Sequence, residues 1–400
     1  MSLAAPFRPI LRDRTLMLAA CLLVLFGAHA ATIAPYMSSL AVKVFGLSDH
    51  AFSALLIVAS LVAVATSVGF GILADQRANR RAIALTTVTA LTLGTALMAF
   101  APATPAFVLA HALLLPISGA IFGQIFALAR LAATTQPEAD RPAVLSTLRA
   151  LFALPWVVVL PIWSLVFQGT TPLTAVYPVC LVLALAMLGL TIRLWPRDGA
   201  THWEDVPSGL SFREALTEIA HPQVLIRVLA LGTINGAVML YIIVVGLVFA
   251  GIPFRGAADT ALYAGIMAGL EVPFMLALPF VIGRVRQTWL IALGTVLYAV
   301  HLAGIPLLAE TPAVWALTLS GAIGGAIVLT QPMAYLQELM AERPGAGASL
   351  IALQKLAGDA FSALCFALGT SLGGYGLAAF LGAALSLLGA ALLIALDRNR

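Results

Sequence analysis

The chain has 400 residues, of which 62% are hydrophobic and 10% are charged, and its formal net charge is +4. Because a soluble domain is about 25% charged, this composition excludes a soluble globular protein. A mean hydropathy of +1.04 is typical of an integral membrane protein. The basic residues lie in short segments between apolar runs and form no single patch, which argues against nucleic-acid binding.

The first apolar run follows three arginines, Arg8, Arg12 and Arg14, as in a secretory signal peptide. The run continues to about Val42, which is too long for the apolar region of a signal peptide, and no convincing cleavage site closes it. We therefore expect this run to be the first transmembrane span.

The sequence predicts twelve transmembrane spans, since a helix needs about 20 mostly apolar residues to cross a bilayer. Gly- and Pro-rich segments such as "FAPATP", "FQGTTP" and "SLGGYG" separate several spans and are typical of tight turns between antiparallel helices. The expected fold class is all-α and integral to the membrane. The spans fall at residues 15–42, 51–74, 82–100, 105–131, 142–168, 172–194, 223–250, 257–282, 287–308, 312–337, 346–371 and 374–396.

The distribution of basic residues predicts the topology. If the N-terminus is cytoplasmic, 17 of the 21 Lys and Arg residues fall in cytoplasmic segments or at the cytoplasmic ends of spans. Lys43 and Arg255 fall on the other side, and Arg149 and Lys355 fall within spans. Cytoplasmic loops of multi-pass proteins carry such an excess, so the bias supports the span count and places both termini in the cytoplasm.

One long polar segment, residues 196–222, divides the spans into six and six. Within it, "SFREALTEIA" places Glu214 three residues after Ser211, which is the spacing of a capping box. We expect a short amphipathic helix there, at the cytoplasmic surface. The predicted domains are a six-helix bundle at 1–195, this linker, and a second six-helix bundle at 223–400.

Chemistry-bearing motifs are absent from the sequence. Cys21, Cys180 and Cys365 lie inside apolar runs without the spacing of a disulfide framework or a zinc site. The sequence contains no HExxH, GxSxG or phosphate-loop motif. We therefore expect no metal, no cofactor and no enzymatic activity, and an intramembrane enzyme is the remote alternative.

The two halves repeat a feature. Short basic turns, "GILADQRANRRAIAL" and "GRVRQTWLIAL", follow spans 2 and 8. Two six-span halves related by an axis along the membrane normal are the plan of major facilitator transporters. The stretch "GFGILADQRANRR" resembles the signature after the second helix of that superfamily, although Asn79 replaces a glycine. The resemblance implies a latch between the halves at the cytoplasmic side, and the matching positions are Gly71, Asp75, Arg77, Arg80 and Arg81.

A narrower resemblance concerns five fragments in order: "GQIFALAR", "LRALFALPWVV", "MLYII", "GLEVP" and "YLQELMAERPGAGAS". Together they resemble the bacterial sugar efflux transporters of this superfamily. That resemblance implies proton-coupled export of sugars, glycosides or analogues by alternating access, by a monomer in the bacterial cytoplasmic (inner) membrane.

Three departures keep other transport functions open. Ile33, Leu131 and Val244 stand where the resemblance predicts polar or acidic residues. Ile33 and Val244 favour a proton-coupled drug or amphiphile exporter of the same superfamily as the alternative. An importer also remains open, because the direction of transport does not follow from the fold.

Glu271 interrupts the apolar run "AGIMAGLEVPFMLALPF" of span 8. A carboxylate at the centre of a membrane helix costs about 2.5–3.5 kcal/mol on insertion scales, so such a residue is a candidate functional site. Arg149 lies at a similar predicted depth in span 5, and the superfamily resemblance implies that spans 5 and 8 face each other. We predict that the two residues form a pair that transport makes and breaks, and that Glu271 carries the coupling proton. A permanent structural pair, or an arginine reaching the interface, is the alternative.

Span 11 carries a second pair of charges in "QKLAGDAF". Lys355 and Asp359 are four residues apart, so they share one face of a helix. They either neutralise each other so that both can enter the membrane, or line the cavity with Asp359 as the coupling acid.

Neutral polar residues in the spans could bind a sugar, which needs amide and hydroxyl groups and an aromatic face. Each could equally connect neighbouring helices through hydrogen bonds. The histidines at 29, 111 and 301 look isolated in the sequence. The candidate substrate-binding residues are Gln124, Trp156, Asn235, Tyr241, Gln331, Tyr335, Gln337 and Gln354.

Overall fold

The computed structural model describes residues 7–77, 80–197, 201, 221–282, 284–339 and 344–398, and it describes the backbone alone at 75–77, 139, 142, 279, 337, 344–349 and 352. Each predicted span is helical. The helices are α1 Arg14–Ile33 (continued by tighter and wider turns to Val44), α2 Asp49–Arg77, α3 Arg80–Phe100, α4 Thr104–Ala133, α5 Arg141–Val166, α6 Val176–Leu194, α7 Pro222–Ala250, α8 Ala257–Ala277, α9 Gln287–Leu308, α10 Leu317–Leu339, α11 Pro344–Leu372 and α12 Tyr375–Leu396.

The prediction of a twelve-helix, all-α membrane protein is confirmed. Within the described ranges, eleven helices are long and apolar enough to cross a membrane. The twelfth, α11, has 29 residues and includes the charged residues Lys355 and Asp359. No β-strand occurs in the described part of the chain.

Local sequence explains where α1 begins, and prolines lie inside several helices. The side chain of Asp13 accepts hydrogen bonds from the backbone N–H groups of Thr15 and Leu16, at 2.8 and 2.9 Å, and so caps α1. Pro155 and Pro161 lie inside α5, where each removes a backbone donor. Neighbouring helices make such prolines tolerable in membrane proteins.

Contacts between residues group the chain into two compact units. Unit 1 comprises Met1–Ala34, Ala65–Ile162 and Pro172–Gly209. Its apolar core is extended by an aromatic group, in which Phe26 lies 6.0 Å from Phe152 and Phe122 lies 4.8 Å from it, between ring centroids. A Cβ at Gly27 would meet the backbone oxygen of Phe152, so the glycine permits α1 to pack closely on α5.

Unit 2 comprises Pro35–Val64, Trp163–Thr171 and Leu210–Arg400. Its helices pack through small residues: a Cβ at Gly232 of α7 would lie 2.6 Å from Cβ of Ala357 on α11, and one at Gly236 would lie 3.0 Å from the backbone oxygen of Gly358. Small residues allow membrane helices to approach closely and gain van der Waals contact.

The segment Pro35–Val64 is held within unit 2 by polar and aromatic contacts. Ser39 Oγ donates to the backbone oxygen of Gly246 at 3.0 Å, and the ring of Phe52 meets that of Phe366 edge-on at 5.7 Å. This grouping is based on contacts between residues, and its limits differ from the predicted domain boundaries at 195 and 223. Those domain boundaries stay a prediction. The predicted capping box at Ser211 and Glu214 lies outside the described residues.

Candidate functional site

Glu271 lies two thirds of the way along α8 and is partly buried within unit 2. A Cβ at Gly325 of α10 would meet Glu271 Oε1, so the carboxylate packs against a stretch of α10 that has no side chain. Glu271 interacts electrostatically with the phenols of Tyr241 and Tyr298. Within unit 2, the described residues provide no ion-pair partner for it.

Three tyrosines surround a fully buried histidine beside Glu271. His301 Nδ1 lies 3.0 Å from the backbone oxygen of Leu317 and 3.2 Å from Tyr263 Oη. The imidazole centroid lies 4.8 Å from the ring of Tyr241 and 5.3 Å from that of Tyr298. We call Tyr241, Tyr263, Tyr298 and His301 the imidazole cluster.

Sequence reasoning missed most of this cluster, since it named only Tyr241 and treated His301 as isolated. A local signal existed in "LYAVH": Tyr298 and His301 are three residues apart and therefore share one face of α9. The glycines of "SGAIGGAI" mark the helix face that receives them, but only the packing of α9 on α10 shows that they do.

The charged pair on α11 has a third member. Lys355 Nζ lies 2.8 Å from Asp359 Oδ2, as the four-residue spacing predicts. The hydroxyl of Ser60 on α2 donates to the same oxygen at 2.9 Å. The Lys355 side chain is 57% exposed and that of Asp359 is 15% exposed. One carboxylate oxygen therefore accepts both bonds, and the bond from Ser60 connects α2 with α11.

Tyr335, predicted to bind substrate, lies in a different cluster. Its hydroxyl donates to Asp397 Oδ2 at 2.6 Å and accepts from Arg227 Nε at 3.0 Å. Arg227 Nη2 pairs with Asp397 Oδ1 at 2.8 Å, and both charged side chains are at least nine-tenths buried. These bonds join α7, α10 and the end of α12, so in this structure the phenol is engaged in helix packing.

The remaining neutral polar candidates are spread over both units. Gln124 is buried in unit 1, where Trp156 is half-buried. In unit 2, Gln354 Nε2 lies 3.5 Å from the backbone oxygen of Leu231, and Gln331 Nε2 lies 3.4 Å from Thr330 Oγ1. Asn235 packs against Gly358. Of the predicted substrate-binding residues in unit 2, Tyr241 interacts electrostatically with Glu271.

The predicted latch is described in part. The side chains of Asp75, Arg77 and Gln337 lie outside the described residues. Arg81 Nη2 donates to the backbone oxygen of Ile192 at 2.8 Å and so connects α3 with α6, while the side chain of Arg80 is partly buried. Arg149 is exposed on α5 of unit 1, whereas Glu271 belongs to unit 2. Their pairing stays a prediction, as does the role of each residue in gating.

Comparison with known proteins shows which family this chain resembles. The family model described as Major Facilitator Superfamily matches residues 19–363. A protein of Deinococcus radiodurans named "Putative sugar efflux transporter" is 30% identical over 381 residues, which cover 91% of this chain and 93% of that protein.

Solved structures match over nearly the whole chain. A mutant of the nucleoside transporter NupG superposes with a TM-score of 0.78 at 13% identity, covering 96% of this chain and all of the other. A D-xylose-proton symporter superposes with a TM-score of 0.71 at 15% identity, covering 94% and 96%. Because these sequence identities are low, the matches show a shared fold and nothing more.

Proposed function

Because this chain belongs to the Major Facilitator Superfamily, we propose that it is a secondary active transporter that exports sugars or related small polar molecules in exchange for protons, by alternating access. The observation that carries the proposal is the 30% identity to the Deinococcus protein over 381 residues. An identity spread over nine-tenths of both chains supports a shared class of substrate more strongly than a local motif does.

We propose Glu271 as the residue that carries the coupling proton. Its carboxylate lies in the middle of a membrane helix, and within unit 2 the described residues offer it no cation. Loss of solvation favours the neutral form of such a group, while entry of water or approach of Arg149 favours the ionised form. A carboxylate in that position can bind and release a proton as its surroundings change.

Asp359 is the second candidate, and its environment argues for a different role. Lys355 and Ser60 both donate to its Oδ2, so this carboxylate is already engaged in bonds within unit 2. We propose that this group stabilises the association of α2 with α11. The hydrogen bond that Tyr375 Oη donates to Asp49 Oδ1, at 3.3 Å, connects α2 with α12.

Sugar recognition is assigned to the neutral polar residues of both units. Amides at Gln124, Asn235, Gln331 and Gln354 offer paired donors and acceptors, and Trp156 offers an aromatic face. We propose that Tyr241 adds a hydroxyl close to the coupling carboxylate, with which it interacts electrostatically.

The proposal predicts a specific defect in Glu271→Gln. In proteoliposomes with a labelled sugar panel, the variant is expected to lose proton-driven accumulation by about 10-fold or more, because glutamine mimics a permanently protonated acid. Exchange of labelled for unlabelled sugar, which needs no net proton movement, is expected to stay within about two-fold of the parent.

Glu310→Gln is the matched control, because Glu310 is an exposed acid between α9 and α10. It is expected to leave both activities unchanged. If Glu271→Gln keeps full proton-driven transport while Asp359→Asn abolishes it, the coupling role passes to Asp359. If the vesicles move amphiphilic cations but none of the sugars, the drug-exporter alternative replaces the sugar assignment, and accumulation in the opposite orientation identifies an importer.

A further inference from the structure

Three buried polar atoms belong to the rings of the imidazole cluster. His301 Nε2, Tyr241 Oη and Tyr298 Oη are each buried and have no hydrogen-bonding partner among the described residues. Their side chains are 0%, 5% and 2% exposed. Leaving such a group unpaired costs about 1–3 kcal/mol, so three on neighbouring rings indicate a shared partner. A buried water typically makes two to four hydrogen bonds to polar groups of this kind.

The other ring nitrogen determines what His301 Nε2 can do. The backbone oxygen of Leu317 can only accept, so the hydrogen of the neutral imidazole lies on Nδ1, 3.0 Å away. Nε2 of the neutral ring then presents a lone pair. It is an acceptor and a base, held in place by the bond on the opposite side of the ring.

Two glycines on α10 receive the side chains of His301 and Glu271. A Cβ at Gly321 would press on the imidazole of His301, and one at Gly325 would meet Glu271 Oε1. These glycines are four residues apart, so the two side chains pack on one face of α10 about one helical turn apart. A water molecule can connect polar groups in such an arrangement, since each of its hydrogen bonds spans about 2.8 Å.

We propose that Glu271 and His301 form a two-site proton relay through one bridging water, oriented by the hydroxyls of Tyr241 and Tyr298. The neutral carboxyl of Glu271 gives its proton to the water, and the water gives one of its own protons to Nε2. The products are a carboxylate and an imidazolium, and the water is regenerated. This relay deepens the proposed function, since it rests on Glu271 as the coupling acid.

The surrounding groups suit a relay within a low-dielectric interior. The cluster is faced by Tyr241 from α7, by Tyr263 and Glu271 from α8, and by Trp315 and Leu317 near the start of α10. Arg255, which stacks over Trp315 at 5.4 Å, pairs with Asp259. Glu271 is therefore the acid that shares this interior with the imidazole.

The test follows the carboxyl of Glu271 by difference infrared spectroscopy of the purified full-length protein over a range of pH. The band lost in Glu271→Gln identifies the residue. In the parent protein we expect this band to titrate in two steps, because two interacting sites share their protons. In His301→Asn, which keeps a donor near Leu317 but has no Nε2, we expect a single step. Proton-driven transport is expected to fall about 10-fold or more, with exchange retained.

Gly325→Ala provides an independent variant, since its methyl group would displace the carboxylate from α10. We expect it also to convert the two steps into one. Gly189→Ala is the matched control, because a Cβ there meets open space on α6. If His301→Asn does not fold, the Tyr241→Phe, Tyr298→Phe double variant removes the hydroxyls and is expected to alter the profile in the same direction.

A titration that is identical in the parent and in every folded variant overturns the relay. The infrared measurement uses no substrate, so this outcome differs from a failure of the sugar assignment, which only the transport panel reports. A variant that loses exchange and proton-driven transport equally, with an unchanged Glu271 titration, assigns His301 to packing and also overturns the relay.

Discussion

At the scale of single residues, buried charges in this protein are stabilised in different ways. Arg227 donates to Asp397, to Tyr335 and to the backbone oxygens of Gln223 and Leu396, so its guanidinium is almost fully used. Asp397 in turn accepts from Tyr335. Among the described residues of unit 2, Glu271 has no comparable set of partners. A fully bonded pair contributes to structure, whereas a carboxylate without such bonds is free to change its protonation.

Replacing Arg227 with methionine is therefore expected to destabilise the protein strongly. The stem of the side chain would remain, but Asp397 would be left buried without its cation, which costs about 3–5 kcal/mol. Thermal unfolding of the detergent-purified variant measures the effect as a lowered midpoint.

Arg193→Met is the matched control, since Arg193 is exposed at the end of α6. It is expected to unfold at the parent temperature. Adding Asp397→Leu to Arg227→Met removes the orphaned charge and is expected to restore much of the lost stability. Equal midpoints for the parent and Arg227→Met would show that the pair does not hold α7 to α12.

At the scale of helices, close contacts between small residues position the functional side chains. α7 approaches α11 at Gly232 and Gly236, and α9 approaches α10 where Gly324 faces the backbone nitrogen of Tyr298. The second contact brings Tyr298 and His301 against α10 at the level of Glu271. A larger residue in either contact would separate the helices and move these groups.

Gly232→Ala is expected to destabilise unit 2 by about 1–3 kcal/mol, because the added methyl would overlap Cβ of Ala357. The reverse change, Ala357→Gly, removes that carbon. The Gly232→Ala, Ala357→Gly double variant is therefore expected to recover stability, and thermal unfolding of all four proteins completes the cycle. Independent, additive effects of the two changes would contradict the close contact between α7 and α11.

At the scale of the whole molecule, topology is decided by the distribution of charge along the chain. The 17-to-2 bias of basic residues predicts that both termini and residues 196–222 face the cytoplasm. Arg227 is one of these 17 residues, and it pairs with Asp397 inside unit 2. Its position therefore also has a structural reason.

A cysteine at Ser208 tests the orientation in a background without the native cysteines. A membrane-impermeant maleimide is expected to leave Ser208→Cys unlabelled in intact cells and to label it in inside-out vesicles. Ala103→Cys, in the exposed loop between α3 and α4, is expected to show the opposite pattern. Labelling of Ser208→Cys in intact cells would refute the predicted topology.

The sequence by itself determined the fold class and the positions of the twelve helices. Each span must satisfy its own backbone hydrogen bonds in lipid and must be long enough to cross it, and both conditions are local. For the same reason, the pairing of Lys355 with Asp359 follows from a spacing of four residues along one helix.

Only the tertiary structure decided which polar residues share an environment, because that depends on which helix faces meet. Tyr335, predicted to bind substrate, pairs within unit 2 with Asp397, which is 62 positions away. His301, isolated in the sequence, lies against α10 near Glu271 because Gly321 and Gly325 leave room for both side chains. In a chain whose helices are apolar on every face, the periodicity of apolar residues gives almost no information about which residues are neighbours. The candidate relay could therefore be identified only from the packing of the helices.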